Sequence, residues 1–300
     1  MKVLLCGDLD AAESQQWHTA LTAAMPEAQW LDLGTARAAP AAVAAAVVAN
    51  PAPGSLQGLP NLRLIQSLWA GADRLLADTT LPAGVPLARM VDPAMNAAMA
   101  ETALWATLAL HRDFFTYAQQ QRAARWLVQP QRRADEVRVL VLGSGEMGRA
   151  AAARIAAQGY AVRVWRRDGT PLPRLLADSD IAINLLPLTP ETRGLLDAHF
   201  YAALPAQSAV VNLARGAHVV DADLLAALHS GHLRHAVLDV FHQEPLPATH
   251  PFWQHPQVTV LPHAAAQTDP RSAAAVAVRN LRAARDGGAL QHLVERQRGY

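Results

Sequence analysis

The stretch 139-VLVLGSGEMGRAAAARI-155 decides the fold. An apolar run of strand character passes straight into three glycines and then into an alanine-rich segment of helical composition. Gly143, Gly145 and Gly148 fit G-x-G-x-x-G in the context where that spacing carries meaning, between a strand and the helix it feeds. The first glycine makes a tight turn, the second leaves backbone room for a pyrophosphate, and the third lets the helix pack closely, with its N-terminus facing the anion. A dinucleotide site is the expectation, and Glu146 and Met147 within the loop belong to it. The spacing alone also fits an ordinary glycine-rich turn.

Working outward, the next strand, AVRVW, runs directly into Arg166 and Arg167. An acidic residue there would grip the ribose 2′-hydroxyl of NAD, whereas paired guanidiniums suit a 2′-phosphate that a carboxylate would repel. NADPH is therefore favoured, with NADH left open because Asp168 follows and offers an acid. A solvated basic turn is the plainer alternative.

The apolar runs VRVLVLG, VRVW, IAINLLP, AVVNLA, HAVLDV and VTVLP, each followed by a turn or helix, predict a doubly wound parallel sheet. An earlier series, VLLCG, AQWLDL, LRLIQSL and PLARM, predicts another. Helices are expected over 11–24, over the alanine-rich 41-AAVAAAVVAN-50, over a long span from Ala97 to Arg125, and over 271–288. The fold class is thus α/β, with two doubly wound parallel-sheet domains: a flavodoxin-like substrate-binding domain of residues 1–95 plus 270–300, and a Rossmann dinucleotide domain of residues 96–269 that includes the long linking helix.

Composition narrows the function. Of 300 residues, 26 are basic and 25 acidic, a formal net charge of +1, so no global field favours nucleic acid or an anionic membrane. Lys2 is the only lysine, which removes phosphate-loop and Schiff-base lysine chemistry. Cys6 is the only cysteine and no apolar stretch is long enough to span a bilayer, so the cytoplasm is the expected compartment. His229, His232 and His235 invite a metal reading, but Gly231 interrupts them and no thiolate or carboxylate stands at ligand spacing, so no metal is expected.

In 211-VNLARGAHVVD-221, Arg215 follows a strand that reads as buried, and a guanidinium stripped of water needs a partner of opposite sign, from the protein or from a ligand. Glu244 in 238-LDVFHQEPLP-247 and His263 in 259-TVLPHAAAQT-268 also stand just past the carboxyl ends of strands, where open α/β sheets bind ligands. A cation to hold and polarise a substrate, an imidazole titrating near neutrality and a carboxylate to keep it protonated are the parts that a carbonyl reduction needs.

In combination, VLGSGEMGRA, LLPLTPETRGLLD, VVNLARGAHVVDADLLAALHSGHLRHAVLDVFHQEPLP and HPFWQHPQVTVLPHAAAQT resemble the D-isomer-specific 2-hydroxyacid dehydrogenase family, most closely its glyoxylate/hydroxypyruvate reductase members. The amino-terminal third is similar only through 67-SLWAGADRL-75 and 99-MAETALWATL-108. The resemblance implies that Arg215 clamps the carboxylate and carbonyl of a small 2-oxo acid, that His263 passes the proton, and that Glu244 orients and charges it. It implies that main-chain amides around Trp69, Ala70 and Gly71 hold the other carboxylate oxygen. Leu186, Pro187, Thr192, Leu213, Ala214, Asp239, His263 and Ala265 would line the nicotinamide half of the cofactor site, and the active cleft would lie between two domains. Trp69 stands where relatives usually have glycine, which narrows the pocket toward small acids, and Ala264 replaces a commonly β-branched residue. Trp126 either pads a core or, as in relatives with a dimerising arm, reaches a neighbour's pocket, and a homodimer is expected. Two alternatives stay open: a dehydrogenase of a larger D-2-hydroxy acid, and a nucleotide-sensing, non-catalytic interaction protein of the same fold.

Overall fold

The first strand, β1 (Lys2–Gly7), leads into α1 (Ala11–Ala24) through Asp10, whose side chain accepts from the Glu13 amide at 2.8 Å while Glu13 accepts from the Asp10 amide at 3.1 Å. That reciprocal cap satisfies two amides that a helix start otherwise leaves without partners. There follow β2 (Gln29–Leu31), α2 (Leu33–Ala38), β3 (Val43–Ala49), β4 (Ile65–Ser67), α3 (Asp73–Leu76) and β5 (Leu87–Ala88). All pair in parallel in the order β2-β1-β3-β4-β5. The structure, a computed structural model, describes residues 1–167 and 169–300, so Asp168 lies outside the described residues.

The segment 41–50 is a strand, not the expected helix. Pro40 starts a single 3-10 turn and the next seven residues form β3, in the middle of the sheet. A central parallel strand is covered on both faces and so reads as an unbroken apolar run. Ala45, Val47 and Ala49 face a cluster with Trp17, Leu21, Ala277 and Leu281, and Ala46 and Val48 face another with Ala36, Leu62 and Leu75. Helix propensity in a segment this short, bounded by prolines, is weaker than burial on two sides.

The expected long helix is two. Helix α4 (Pro93–His111) ends at Asp113, which is left-handed at φ 56°, and α5 (Phe114–Arg122) begins beyond it. Arg234 fixes the break: its guanidinium donates to the Leu110 carbonyl at 2.7 Å and pairs with Asp113 at 3.3 Å, completing the carbonyl end of α4. Residues beyond α5 leave the helix, and Trp126 is 98% exposed, so it pads no core of its own chain.

The second sheet contains β6 (Arg138–Leu142), β7 (Ala161–Trp165), β8 (Ile181–Asn184), β9 (Ser208–Asn212), β10 (Leu233–Leu238) and β11 (Val258–Val260), connected through α6 (Glu146–Ala156), α7 (Leu172–Leu176), α8 (Ala198–Ala203) and α9 (Asp221–His229). Its order, β11-β10-β9-β8-β6-β7, is parallel throughout and reverses beside β6. The carboxyl ends of β6 and β8 therefore flank a topological switch point, the position where doubly wound sheets leave a crevice. The last helix, α10 (Pro270–Asp286), packs on α1 and belongs to the first sheet. The chain divides into Met1–Met95 with Thr268–Tyr300, and Asn96–Gln267. Among the described residues no helix is long and apolar enough to cross a membrane.

Candidate active site

At the switch point, the glycine loop is shaped by contacts that side chains would prevent. Gly143 has φ 114°, and a Cβ there would stand 2.8 Å from the Leu185 carbonyl oxygen just past β8. A Cβ on Gly148 would overlap the Gly143 carbonyl, so α6 can begin hard against the loop only with glycine at that place. A Cβ on Gly145 would meet nothing within 4 Å, leaving open space over the start of α6. That combination fits a pyrophosphate at a helix N-terminus. Glu146 sits in this exposed first turn with its carboxylate paired to Arg149, whose guanidinium also donates to Ser144 O at 2.7 Å, and Met147 packs partly against the core.

Arg166 and Arg167 follow β7 at the same edge of the sheet, and both are exposed. Arg167 stands 3.8 Å from Glu191, whose carboxylate also accepts from the Thr189 hydroxyl at 2.8 Å. Thr192 is buried in the same turn, donating to Pro187 O at 2.8 Å and accepting from the Thr189 amide at 2.8 Å. Leu186 and Pro187 continue from β8 half-buried, and Leu213 and Ala214 continue from β9 buried.

Two asparagines that the sequence analysis missed brace these loop starts. Asn184 and Asn212 close β8 and β9, each 1% exposed, and the Asn184 amide donates to Asn212 Oδ1 at 3.0 Å. Asn184 Oδ1 accepts from the Leu186 amide at 3.2 Å, and Asn212 Oδ1 accepts from the Ala214 amide at 3.2 Å. The Asn212 side-chain amide also donates to the Arg215 carbonyl at 2.9 Å. Buried His218 spans the two loops, with Nδ1 3.1 Å from Arg215 O and Nε2 3.3 Å from Pro187 O. The available signal was an asparagine ending an apolar strand twice, in IAINLL and VVNLA, since such a polar group tolerates burial only with partners.

Arg215 is half-buried, and its guanidinium donates to Ala214 O at 2.8 Å. The following residue must be glycine, because a Cβ on Gly216 would overlap the Phe241 carbonyl carbon. Past β10, Asp239 is 1% exposed and both its carboxylate oxygens are used, accepting from the Ala264 amide at 2.7 Å and the Ala265 amide at 3.0 Å. Burial pushes its pKa up. The Asp239 carbonyl also accepts from the His263 amide at 2.9 Å, which holds His263 in a left-handed conformation at φ 54°. Non-glycine residues persist in that region only where their surroundings over-determine it. Buried Ala265 accepts from the Thr102 hydroxyl at 2.8 Å through its carbonyl.

His263 and Glu244 meet. His263 Nδ1 lies 2.7 Å from Glu244 Oε2, and Oε1 of the same carboxylate accepts from the Phe241 amide at 2.8 Å. Nδ1 is therefore the donor, and Nε2 makes no hydrogen bond among the described residues. The bond to Glu244 raises the His263 pKa against the opposing effects of burial and the Arg215 charge. Burial alone would raise Glu244, but the bonds to His263 and to the Phe241 amide outweigh it and hold the carboxyl low, with Arg215 adding to the effect. An imidazolium held by an ionised carboxylate near a guanidinium can deliver a proton to an oxyanion.

In the first unit, the loop after β4 is held by Ser67. The Trp69 amide donates to Ser67 Oγ at 3.0 Å, and the Trp69 carbonyl accepts from that hydroxyl at 3.1 Å and from the Met90 amide at 3.0 Å. The amides of Ala70 and Gly71 make no hydrogen bond among the described residues, whereas that of Trp69 is occupied. The Trp69 indole meets buried Trp17 edge to face, with centroids 6.4 Å apart. The three histidines considered for a metal go separate ways: His229 lies against the His255 ring, His232 bonds to Tyr201 O at 2.9 Å, and His235 bonds to Thr259 Oγ1 at 2.9 Å.

A doubly wound sheet with a glycine cradle, and a histidine–carboxylate pair near an arginine at its carboxyl edge, defines a nucleotide-dependent oxidoreductase. The sequence profile of the D-isomer specific 2-hydroxyacid dehydrogenase NAD binding domain matches residues 104–265, and the chain belongs to that family. It is 36% identical to glyoxylate/hydroxypyruvate reductase A of Yersinia enterocolitica over 305 residues, covering 96% of this chain and 97% of that protein. The structure of a D-isomer specific 2-hydroxyacid dehydrogenase from Xanthobacter autotrophicus Py2, in complex with NADPH and MES, superposes with a TM-score of 0.93 at 40% identity, covering 100% of this chain and 99% of that one. An NADPH-dependent glyoxylate/hydroxypyruvate reductase from Sinorhizobium meliloti, in complex with NADP and sulfate, gives 0.91 at 31% identity, with coverage of 100% and 99%.

Proposed function

We propose that this chain is an NADPH-preferring reductase of small 2-oxo acids, glyoxylate and hydroxypyruvate first, working as a homodimer in the cytoplasm. The observation that carries the reading is the 2.7 Å pair of His263 and Glu244, with its raised imidazole and depressed carboxyl, beside the charge of Arg215. The relatives named glyoxylate/hydroxypyruvate reductase A and the NADPH-bound and NADP-bound relatives support the substrate class and the cofactor.

In this reading residues 96–269 bind the dinucleotide and residues 1–95 with 270–300 bind the acid. The Gly143–Gly148 loop holds the pyrophosphate, Arg166 and Arg167 the 2′-phosphate, and the braced loops after β8 and β9 the nicotinamide. When bound, the reduced nucleotide supplies the hydride. Arg215 binds the carboxylate and draws electron density from the keto group, and His263 gives its Nε2 proton to the carbonyl oxygen, so the acid leaves as a 2-hydroxy acid. Glu244 stays ionised and stabilises the imidazolium until that transfer. Ala70 and Gly71 offer their amides to the acid's carboxylate, and Trp69 contributes its ring, which limits side-chain size. The exposed apolar side chains Trp105, Leu108, Phe114, Trp126, Leu127 and Val128 support a face for a second copy.

A spectrophotometric screen of NADPH and NADH oxidation with glyoxylate, hydroxypyruvate, pyruvate and phenylpyruvate tests the reading. The highest kcat/KM is expected for NADPH with one of the first two acids. No turnover with any of them contradicts it.

A further inference from the structure

We infer that Asp221 is a positioning residue which, through His242 and His250, clasps the loop carrying Glu244 to the segment carrying Arg215 and so holds Glu244 against His263. The inference rests on the catalytic reading above for its functional meaning, though its geometry stands within the second sheet alone.

Glu244 lies on an irregular connection that leaves β10 and returns to β11, and an ordered loop of that kind needs fastening against its conformational entropy. Three contacts fasten it to the stretch after Arg215. Phe241 packs its main chain directly on Gly216. His242 Nε2 stands 2.8 Å from the Val219 carbonyl and 3.6 Å from Asp221 Oδ1. His250 Nε2 stands 3.4 Å from the other oxygen, Oδ2, of the same carboxylate.

The tautomers follow from the partners. A carbonyl opposite Nε2 of His242 makes that nitrogen the donor, and in His250 Nδ1 accepts from the Phe252 amide at 3.3 Å, which leaves Nε2 to carry the proton. One carboxylate thus stands at ion-pair distance from both ends of the 242–250 span, with one oxygen toward each ring. Asp221 is well placed to serve as the fixed point, since it begins α9, where the helix dipole favours an anion. Between the two fastened histidines, Glu244 bonds backward to the Phe241 amide and outward to His263. Loss of the clasp frees the loop on either side of Glu244, and misplacement by a fraction of an ångström weakens a proton relay steeply.

The groups facing His263 are Glu244, Arg215 and Asp239, and of these Asp221 is coupled by the loop to Glu244. NMR titration of the His263 imidazole in the full-length Asp221→Ala protein is expected to show a lower pKa than in the wild type. With it, kcat falls about tenfold, KM for NADPH is unchanged, and the alkaline limb of the reductive pH profile moves to lower pH. Asp221→Asn, which keeps one acceptor oxygen and turns an NH2 group toward the second ring, is expected to show much of the same loss. In a Glu244→Gln background, Asp221→Ala is expected to have no further effect on kcat. An unmoved His263 titration in Asp221→Ala overturns the inference, as does an Asp221→Asn protein that behaves as the wild type, which would mean that the carboxylate does not hold the two rings. If Glu244→Gln itself leaves turnover untouched, the catalytic reading falls, while the imidazole titration still judges the clasp.

Discussion

Glu244→Gln removes the charge from the proton relay. Glutamine has the same reach and keeps a carbonyl oxygen for His263 Nδ1, while its NH2 replaces the oxygen that accepts from the Phe241 amide, so the negative charge and that brace disappear together. A hydrogen bond to a charged group contributes about 1.5–3 kcal/mol against about 1 for a neutral one. The two side chains are 51% and 35% exposed, which places this pair at the screened, lower end. A difference of about 1.4 kcal/mol corresponds to roughly a tenfold loss of proton affinity at His263. Stabilisation of the imidazolium is weakened in the transition state as well, so kcat for glyoxylate reduction is expected to fall between about tenfold and a hundredfold. The sign in pH follows from the chemistry. Reduction uses protonated His263, so the rate is level below its pKa and falls as pH rises through it. In the wild type that pKa is raised by Glu244, and in the variant the fall begins at lower pH. Initial rates of NADPH oxidation across pH measure both quantities, and binding of NADPH followed by fluorescence is expected to be unaltered. A variant with lowered kcat but an unmoved alkaline limb would refute the assignment of Glu244 as the group that charges His263.

Three further outcomes are expected. Replacing Arg166 and Arg167 by alanine raises KM for NADPH much more than KM for NADH, and equal effects remove them from 2′-phosphate recognition. Trp69→Gly, which deletes the indole held by Trp17, is expected to raise kcat/KM for phenylpyruvate relative to glyoxylate, as measured in one competition assay. His235 is held neutral by burial, with its pKa lowered from 6.5 to about 4, so the unfolded chain takes up a proton that the folded chain refuses. The stability present above 6.5 is therefore lost as pH falls toward 4, by roughly 2–3 kcal/mol. Denaturant titrations near neutrality and near pH 5 are expected to show a smaller acid loss in His235→Gln than in the wild type.

The second sheet was legible because most of its strands carry short apolar runs followed within a few residues by groups that strands do not otherwise tolerate: Gly143, Arg166, Arg215 and His263. Short segments were harder. The run 43–49 has helical composition, and only its place between two covered faces makes it a strand. The break at Asp113 depends on Arg234, more than a hundred residues further along, and periodicity carries no such information. In the site, Arg215, Glu244 and His263 announce themselves as charged groups after strands. The roles of Asn184, Asn212, His218 and Asp239 are set by hydrogen bonds between neighbouring loops, which emerge only once the strands are in register. The occupied amide of Trp69 is of the same kind, since its partner is the hydroxyl of Ser67 two residues earlier in a particular turn.

The most direct test of the central claim is a single turnover of the NADPH-loaded protein with glyoxylate, comparing wild type with His263→Ala. The account predicts that the variant binds NADPH normally and transfers hydride at least about a hundredfold more slowly. Transfer at the wild-type rate in His263→Ala would contradict it.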